Sequence, residues 1–345
     1  MSALATPALV SPPATYEYQA SSKEGSLVVP IKYVPALSAY VISYTVGGSR
    51  FVAIVDTGSP FLLVPSYCDE TKYGCYKQDS SLPSGLAPTY ERFDSNEGMV
   101  EWRRAPFSFL RQDDIPAGSM AAEKRLFPDS VTFGVLGESL MDGPGGIFLG
   151  LVKNTDARII PSFLSQSAVG AFSIDLRARA EPKTLTLSKS NDAWISGDWI
   201  QLNAKNLQNC GDPTRHYSAE ALDVSVNGRP LVASDSRGKR QKKIYVIIDT
   251  GVSGMIITPD LFDERYKVAR ANREKSLWGD VDVTFGTARG GTLTLSATKP
   301  LTTPFGSNRP WGKPLDGHLL VVGLAFLDNK KTSVDIDNGR MWIEA

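Results

Sequence analysis

Histidine and cysteine are scarce in this chain, with two and three among 345 residues. His216 and His318 are too few for a zinc cluster or an imidazole-centred catalytic site, so no metal and no cofactor are expected. An odd number of cysteines leaves one over in any intrachain pairing, and three are too few to build a disulfide-based secreted scaffold. Charge of one sign is missing as well. The 37 basic and 37 acidic residues cancel, which removes the electrostatic signature of a nucleic-acid partner or an anionic membrane. No apolar run approaches the roughly 18–20 residues that a membrane helix needs. No Asn-x-Ser/Thr sequon occurs. The first basic residue is Lys23, and Pro7, Pro12 and Pro13 interrupt the early apolar residues, so the pattern of a secretory signal is not there. The expectation is an intracellular monomer; a secreted mature form is the alternative.

What is present is a globular composition, 42% hydrophobic and 21% charged, long enough for two domains. Residues 1–16 read as a proline-rich arm. After them come short β-rich runs separated by Gly, Pro, Asn and Asp, such as residues 26–30, 185–188, 281–285 and 292–295. Residues 226–229 (Val-Asn-Gly-Arg) and 287–291 predict hairpin turns. Helical signals are few: residues 160–165 and 259–266 are short, with proline placed as at a helix start. The basic run at residues 237–243 reads as a solvated loop, since like charges in series repel and stay in water.

One pattern occurs twice. Ala53-Ile54-Val55-Asp56-Thr57-Gly58-Ser59 returns as Val246-Ile247-Ile248-Asp249-Thr250-Gly251-Val252. Each copy is an apolar, β-prone run that stops at an aspartate, and each is followed by a second apolar run ending at proline, Pro65 or Pro259. A turn-capping role would explain one aspartate but not the duplicated surroundings. With these flanks the chain resembles the pepsin-like aspartic peptidases, in which each of two lobes donates one Asp-Thr-Gly loop. Residues 17–47 are similar to that family's opening strands, residues 147–151 and 321–327 to its two apolar-apolar-Gly segments, and residues 332–343 to its closing hairpin. The resemblance implies an all-β, bilobal, pepsin-like double β-barrel with a few short peripheral helices. Its N-terminal lobe would be residues 17–185 and its C-terminal lobe residues 186–345, with the passage between them near residues 176–195. It also implies that Cys68 and Cys75 can pair, leaving Cys210.

Asp56 and Asp249 are then the expected catalytic pair. Neighbouring carboxylates share one proton and titrate as a unit; aspartic proteases are the standard example of that arrangement. The ionised partner takes a proton from water, the protonated one donates to a carbonyl oxygen, and no metal is needed. Thr57, Gly58, Ser59, Thr250, Gly251 and Val252 are the expected supports. Gly58 and Gly251 allow close backbone approach, and the Ser59 hydroxyl is expected to hydrogen-bond the outer oxygen of its aspartate. Val252, where the family usually has Ser or Thr, cannot, which makes the two acids unequal.

Other departures surround the pair. Gly146 and Leu324 stand where the family often has Asp, and Pro60-Phe61-Leu62-Leu63 replaces Ser-Asn-Leu-Trp. The family's Tyr-Gly-x-Gly lid corresponds to residues 90–102, with Phe93 nearest the lid tyrosine, Tyr90 and Trp102 close by, and a tip at residues 94–98. An altered lid and an ordinary edge hairpin both fit these aromatics. Residues 103–124 read as an insertion. The leading expectation is an endopeptidase that binds an extended peptide between the lobes. A repurposed enzyme would use the dyad for dehydration, isomerisation or cyclisation of a small molecule, and a non-catalytic binder would tolerate loss of an aspartate.

Overall fold

The computed structural model describes residues 25–66, 73–93, 96–110, 118–137, 148–154, 160–190, 197–231, 242–274 and 276–344. The chain is mostly β, 46% strand and 14% helix, and its strands form two mixed sheets of fourteen and eight strands. Among the described residues neither sheet closes into a barrel. The proline-rich arm at residues 1–16 lies outside the described residues, as do residues 237–241 of the basic run. Lys242 and Lys243, at its end, are exposed and pair with Asp260 and Glu220.

One end of the larger sheet draws on the start, middle and end of the sequence. Its strands run in the order Ile200–Gln201, Arg340–Glu344, Lys331–Asp335, Ala171–Asp175, Lys183–Ser188 and Leu27–Val34, all antiparallel. The segment expected to join the lobes therefore carries a strand, Lys183–Ser188, which lies between the first described strand, Leu27–Val34, and its own sequence neighbour, Ala171–Asp175. Leu27, Val29 and Ile31 alternate with more exposed residues, as in a strand with one face on the core, whereas residues 171–174 are buried throughout.

The hairpin signals are met. Asn227 and Gly228 adopt φ of 52° and 72° between Ser218–Val226 and Arg229–Pro230, the left-handed pair that a tight hairpin needs. Thr258 is extended and Pro259 opens a helix, as its sequence suggests, but the helix runs on to Ala271. Leu261, Arg265 and Ala269 are its buried face, at the i, i+4, i+8 spacing of one helix side. Residues 160–165 give only a 3-10 turn, Leu164–Gln166.

The insertion expected at residues 103–124 has a different form. Its first part continues one 14-residue strand, Asn96–Phe109, and its end enters the helix Gly118–Leu126. Glu123 accepts the backbone N–H of Phe109 at 2.6 Å, which ties helix to strand. The main core includes Tyr44, Phe51, Phe107, Phe163 and Phe172 and draws on both halves of the sequence. Cys75 is disulfide-bonded and Cys210 is a free, buried thiol; Cys68 lies outside the described residues. No described helix is long and apolar enough to cross a membrane.

Candidate active site

Each aspartate sits at the end of a buried strand with a parallel neighbour. Ser49–Asp56 pairs with Phe148–Gly150, placing Asp56 opposite Gly150. Lys243–Ile248 pairs with Gly317–Val322, placing Ile248 opposite Val322. The chain then returns on the far side of the same partner. Leu62 bridges Leu149 antiparallel in the first half, and Met255 pairs with Val322 antiparallel in the second. In both halves the returning strand takes a second parallel partner, Ser130–Leu136 or Thr302–Pro304. The repeat seen in the sequence is thus a repeat of connectivity.

Gly150 ends the first partner strand and Gly323 directly follows the second, and space explains both glycines. A Cβ on Gly150 would lie 2.5 Å from the Ser59 carbonyl oxygen, and one on Gly323 1.9 Å from that of Val252. Backbone hydrogen bonds join loop and strand in both halves. Leu151 N–H donates to Asp56 O at 2.7 Å and Val152 N–H to Ser59 O at 3.0 Å; Asp249 N–H donates to Val322 O at 3.0 Å and Leu324 N–H to Val252 O at 2.8 Å.

The two loops meet through their threonines. Thr57 Oγ1 donates to the carbonyl of Ile248 at 3.0 Å and accepts the N–H of Thr250 at 2.9 Å. Thr250 Oγ1 donates to the carbonyl of Val55 at 2.6 Å and accepts the N–H of Thr57 at 3.2 Å. Both threonines are buried, so each hydroxyl satisfies a donor and an acceptor that water cannot reach. Gly58 N–H donates to Asp56 Oδ1 at 2.7 Å, and Gly251 N–H to Asp249 Oδ1 at 2.8 Å. The glycines face across the junction. A Cβ on Gly251 would lie 2.7 Å from Asp56 Oδ1 and 3.1 Å from Asp249 Oδ1, so both acids lie within 3.1 Å of one point. Asp56 is 6% exposed and Asp249 is half-buried.

The outer supports depart from expectation. The Ser59 hydroxyl is buried but makes no hydrogen bond among the described residues, so the expected bond to its aspartate is not there. Val252 packs on an apolar cluster that includes Tyr245, Ile247 and Val321, with Trp311 and Leu315 beside it. Its side chain packs where the family it resembles usually has a hydroxyl, in line with its expected inability to bond the carboxylate.

The lid residues separate. Thr89–Phe93 and Asn96–Phe109 form the expected hairpin, with Phe93 opposite Asn96; residues 94 and 95 lie outside the described residues, and nothing is described of the Phe93 side chain. Tyr90 is 58% exposed and pairs across the hairpin with Met99. Trp102 is buried, edge-on to Phe61 at 4.9 Å, in a cluster with Leu63 and Val100. Its indole N–H donates to Thr89 Oγ1 at 2.9 Å, a partner that no sequence motif marks. This tryptophan ties the base of the hairpin to the segment that follows the first Asp loop.

A search against protein-family models finds no match, and a search of curated proteins finds none. The family resemblance therefore rests on the sequence motifs quoted for it.

Removing one threonine hydroxyl tests the junction. Thr250→Val leaves the Val55 carbonyl and the Thr57 N–H buried without partners, which is expected to lower stability by about 2–4 kcal/mol. Thr57→Val should cost a similar amount. The double variant should lose less than the sum, because the two hydroxyls share one network. Urea unfolding of the three variants measures this; strict additivity would show that the loops are held independently.

Proposed function

We propose that this chain is an aspartic endopeptidase of pepsin-like, bilobal architecture, with lobes at about residues 17–185 and 186–345. The observation that carries the reading is the reciprocal threonine junction, which holds Asp56 and Asp249 within 3.1 Å of one point. A water between such acids is within reach of both. One carboxylate accepts its proton as the water attacks a peptide carbonyl, the other donates to the carbonyl oxygen, and the proton then passes to the leaving nitrogen. The backbone N–H groups of Gly58 and Gly251 hold the inner oxygens, leaving the outer ones for chemistry.

A second reading has its own support. Neither Ser59 nor Val252 supplies a hydroxyl bond to a carboxylate, so the outer oxygens sit in a setting unlike that of the peptidases it resembles. A dyad of this kind suits acid–base catalysis on a small molecule without peptide cleavage.

One experiment separates the two. A mixed peptide library is incubated at about pH 3–7, where a proton-sharing carboxylate pair works, with and without a statine-type transition-state mimic. Cleavage that the mimic blocks is the expected result. A folded protein that cleaves nothing across that range would end the peptidase reading and leave the small-molecule one.

A further inference from the structure

Beside the second Asp loop lies a cavity of about 440 Å³, bounded by Tyr33, Ser38, Tyr40, Ser253, Leu324 and Asp328. One wall is the hairpin of Leu27–Val34 and Ala39–Val46, on which Tyr33 and Tyr40 are directly opposed. Their rings stand 5.3 Å apart, tilted at 60°. The other wall is Ser253, four residues past Asp249, and the short helix Leu324–Leu327 with Asp328 at its end. Ser253 Oγ donates to the Ser38 carbonyl at 3.0 Å, fixing the hairpin to the loop.

The chemistry of this lining is one-sided. Two phenol rings offer electron-rich faces. Among the described residues the Asp328 carboxylate has no hydrogen bond or ion pair, and no basic side chain lines the cavity. Burial raises the Tyr40 pKa first, and the negative charge of Asp328 adds to the rise. Aromatic faces joined to a carboxylate are the complement of a cationic nitrogen.

We propose that this cavity binds an organic cation, a protonated amine or a guanidinium, seated against the Tyr33 and Tyr40 rings with its charge toward Asp328. The site does not depend on what the dyad does. The cation is either a basic side chain on a longer chain or a free amine.

The test is titration of the full-length Asp249→Asn protein, followed by tyrosine NMR resonances. The probes are n-butylammonium, its neutral counterpart n-butanol, and a blocked peptide carrying lysine or, in its place, norleucine. Saturable binding of the charged probes is expected, with the neutral ones at least about fivefold weaker. Tyr33→Leu and Asp328→Asn should each weaken the charged probes by roughly threefold to tenfold. Both side chains are exposed, and circular dichroism confirms that the variants fold. Tighter binding of the lysine peptide than of butylammonium assigns the site to a side chain, and the reverse assigns it to a free amine. Equal binding of charged and neutral probes, no saturable binding, or unchanged affinity in both variants overturns the proposal.

Discussion

Asp249→Asn is expected to lower turnover on any substrate of the dyad by about 10²–10⁴-fold, the contribution of a positioned acid–base group. Asp56→Asn should do the same, and the double variant should be little worse than either. In the proposed mechanism the acids share one task, so removing one already disables the pair, and effects within such a unit do not add. Stability should barely change. An asparagine at position 249 keeps a carbonyl oxygen for the Gly251 N–H, now 2.8 Å from Asp249 Oδ1. The Thr57 and Thr250 hydroxyls, which hold the loops together, are untouched. Unfolding free energy within about 1 kcal/mol of wild type is therefore expected. The measurement is kcat for the three proteins, beside their urea midpoints. A variant that retains more than roughly a tenth of wild-type turnover would remove its aspartate from the acid–base step.

The parts of this site legible in the sequence are those that occur twice. A buried strand that ends on an aspartate is informative only because Asp56 and Asp249 share it, together with the following apolar runs and the glycines at 150 and 323. What the sequence hides is partnership at a distance. Thr57 and Thr250 are 193 residues apart, and nothing local shows that each hydroxyl meets the other loop's backbone. The Ser59 bond was expected from the family resemblance, but the folded loop buries that hydroxyl with no partner among the described residues. Pro106 hid the long strand Asn96–Phe109, because proline lacks a ladder donor and argues against a strand interior. The alternation of buried Ala105, Phe107 and Phe109 with exposed Arg104 and Pro106 was nevertheless there to be counted. The cavity beside Asp249 was invisible for the opposite reason. Its rings come from the first described hairpin and its carboxylate from near the C-terminus, and no motif links them.

Gly323→Ala is expected to be the most damaging single-methyl change in the second half. The reason is space, not torsion: Gly323 has φ of −106°, a value open to any residue. Its added Cβ would lie 1.9 Å from the carbonyl oxygen of Val252, 2.5 Å from that residue's carbonyl carbon, and 2.9 Å from the carbonyl oxygen of Gly254. These are backbone atoms and cannot rotate aside. Two hydrogen bonds fix them there, Gly323 N–H to Gly254 O and Leu324 N–H to Val252 O, both 2.8 Å. Relief requires the strand and the loop to part, which breaks both bonds and moves the segment that carries Asp249. A loss of about 3 kcal/mol or more follows from overpacking together with the lost bonds. Turnover should fall in whatever fraction still folds. Gly306→Ala is the internal control, since no atom lies within 4 Å of its Cβ position, and it should shift stability by no more than about 0.5 kcal/mol. Chemical unfolding of both variants reads the difference. A Gly323→Ala protein as stable as the control would mean that loop and strand are not pressed together, and with that the tight support beneath Asp249 would be lost from the argument.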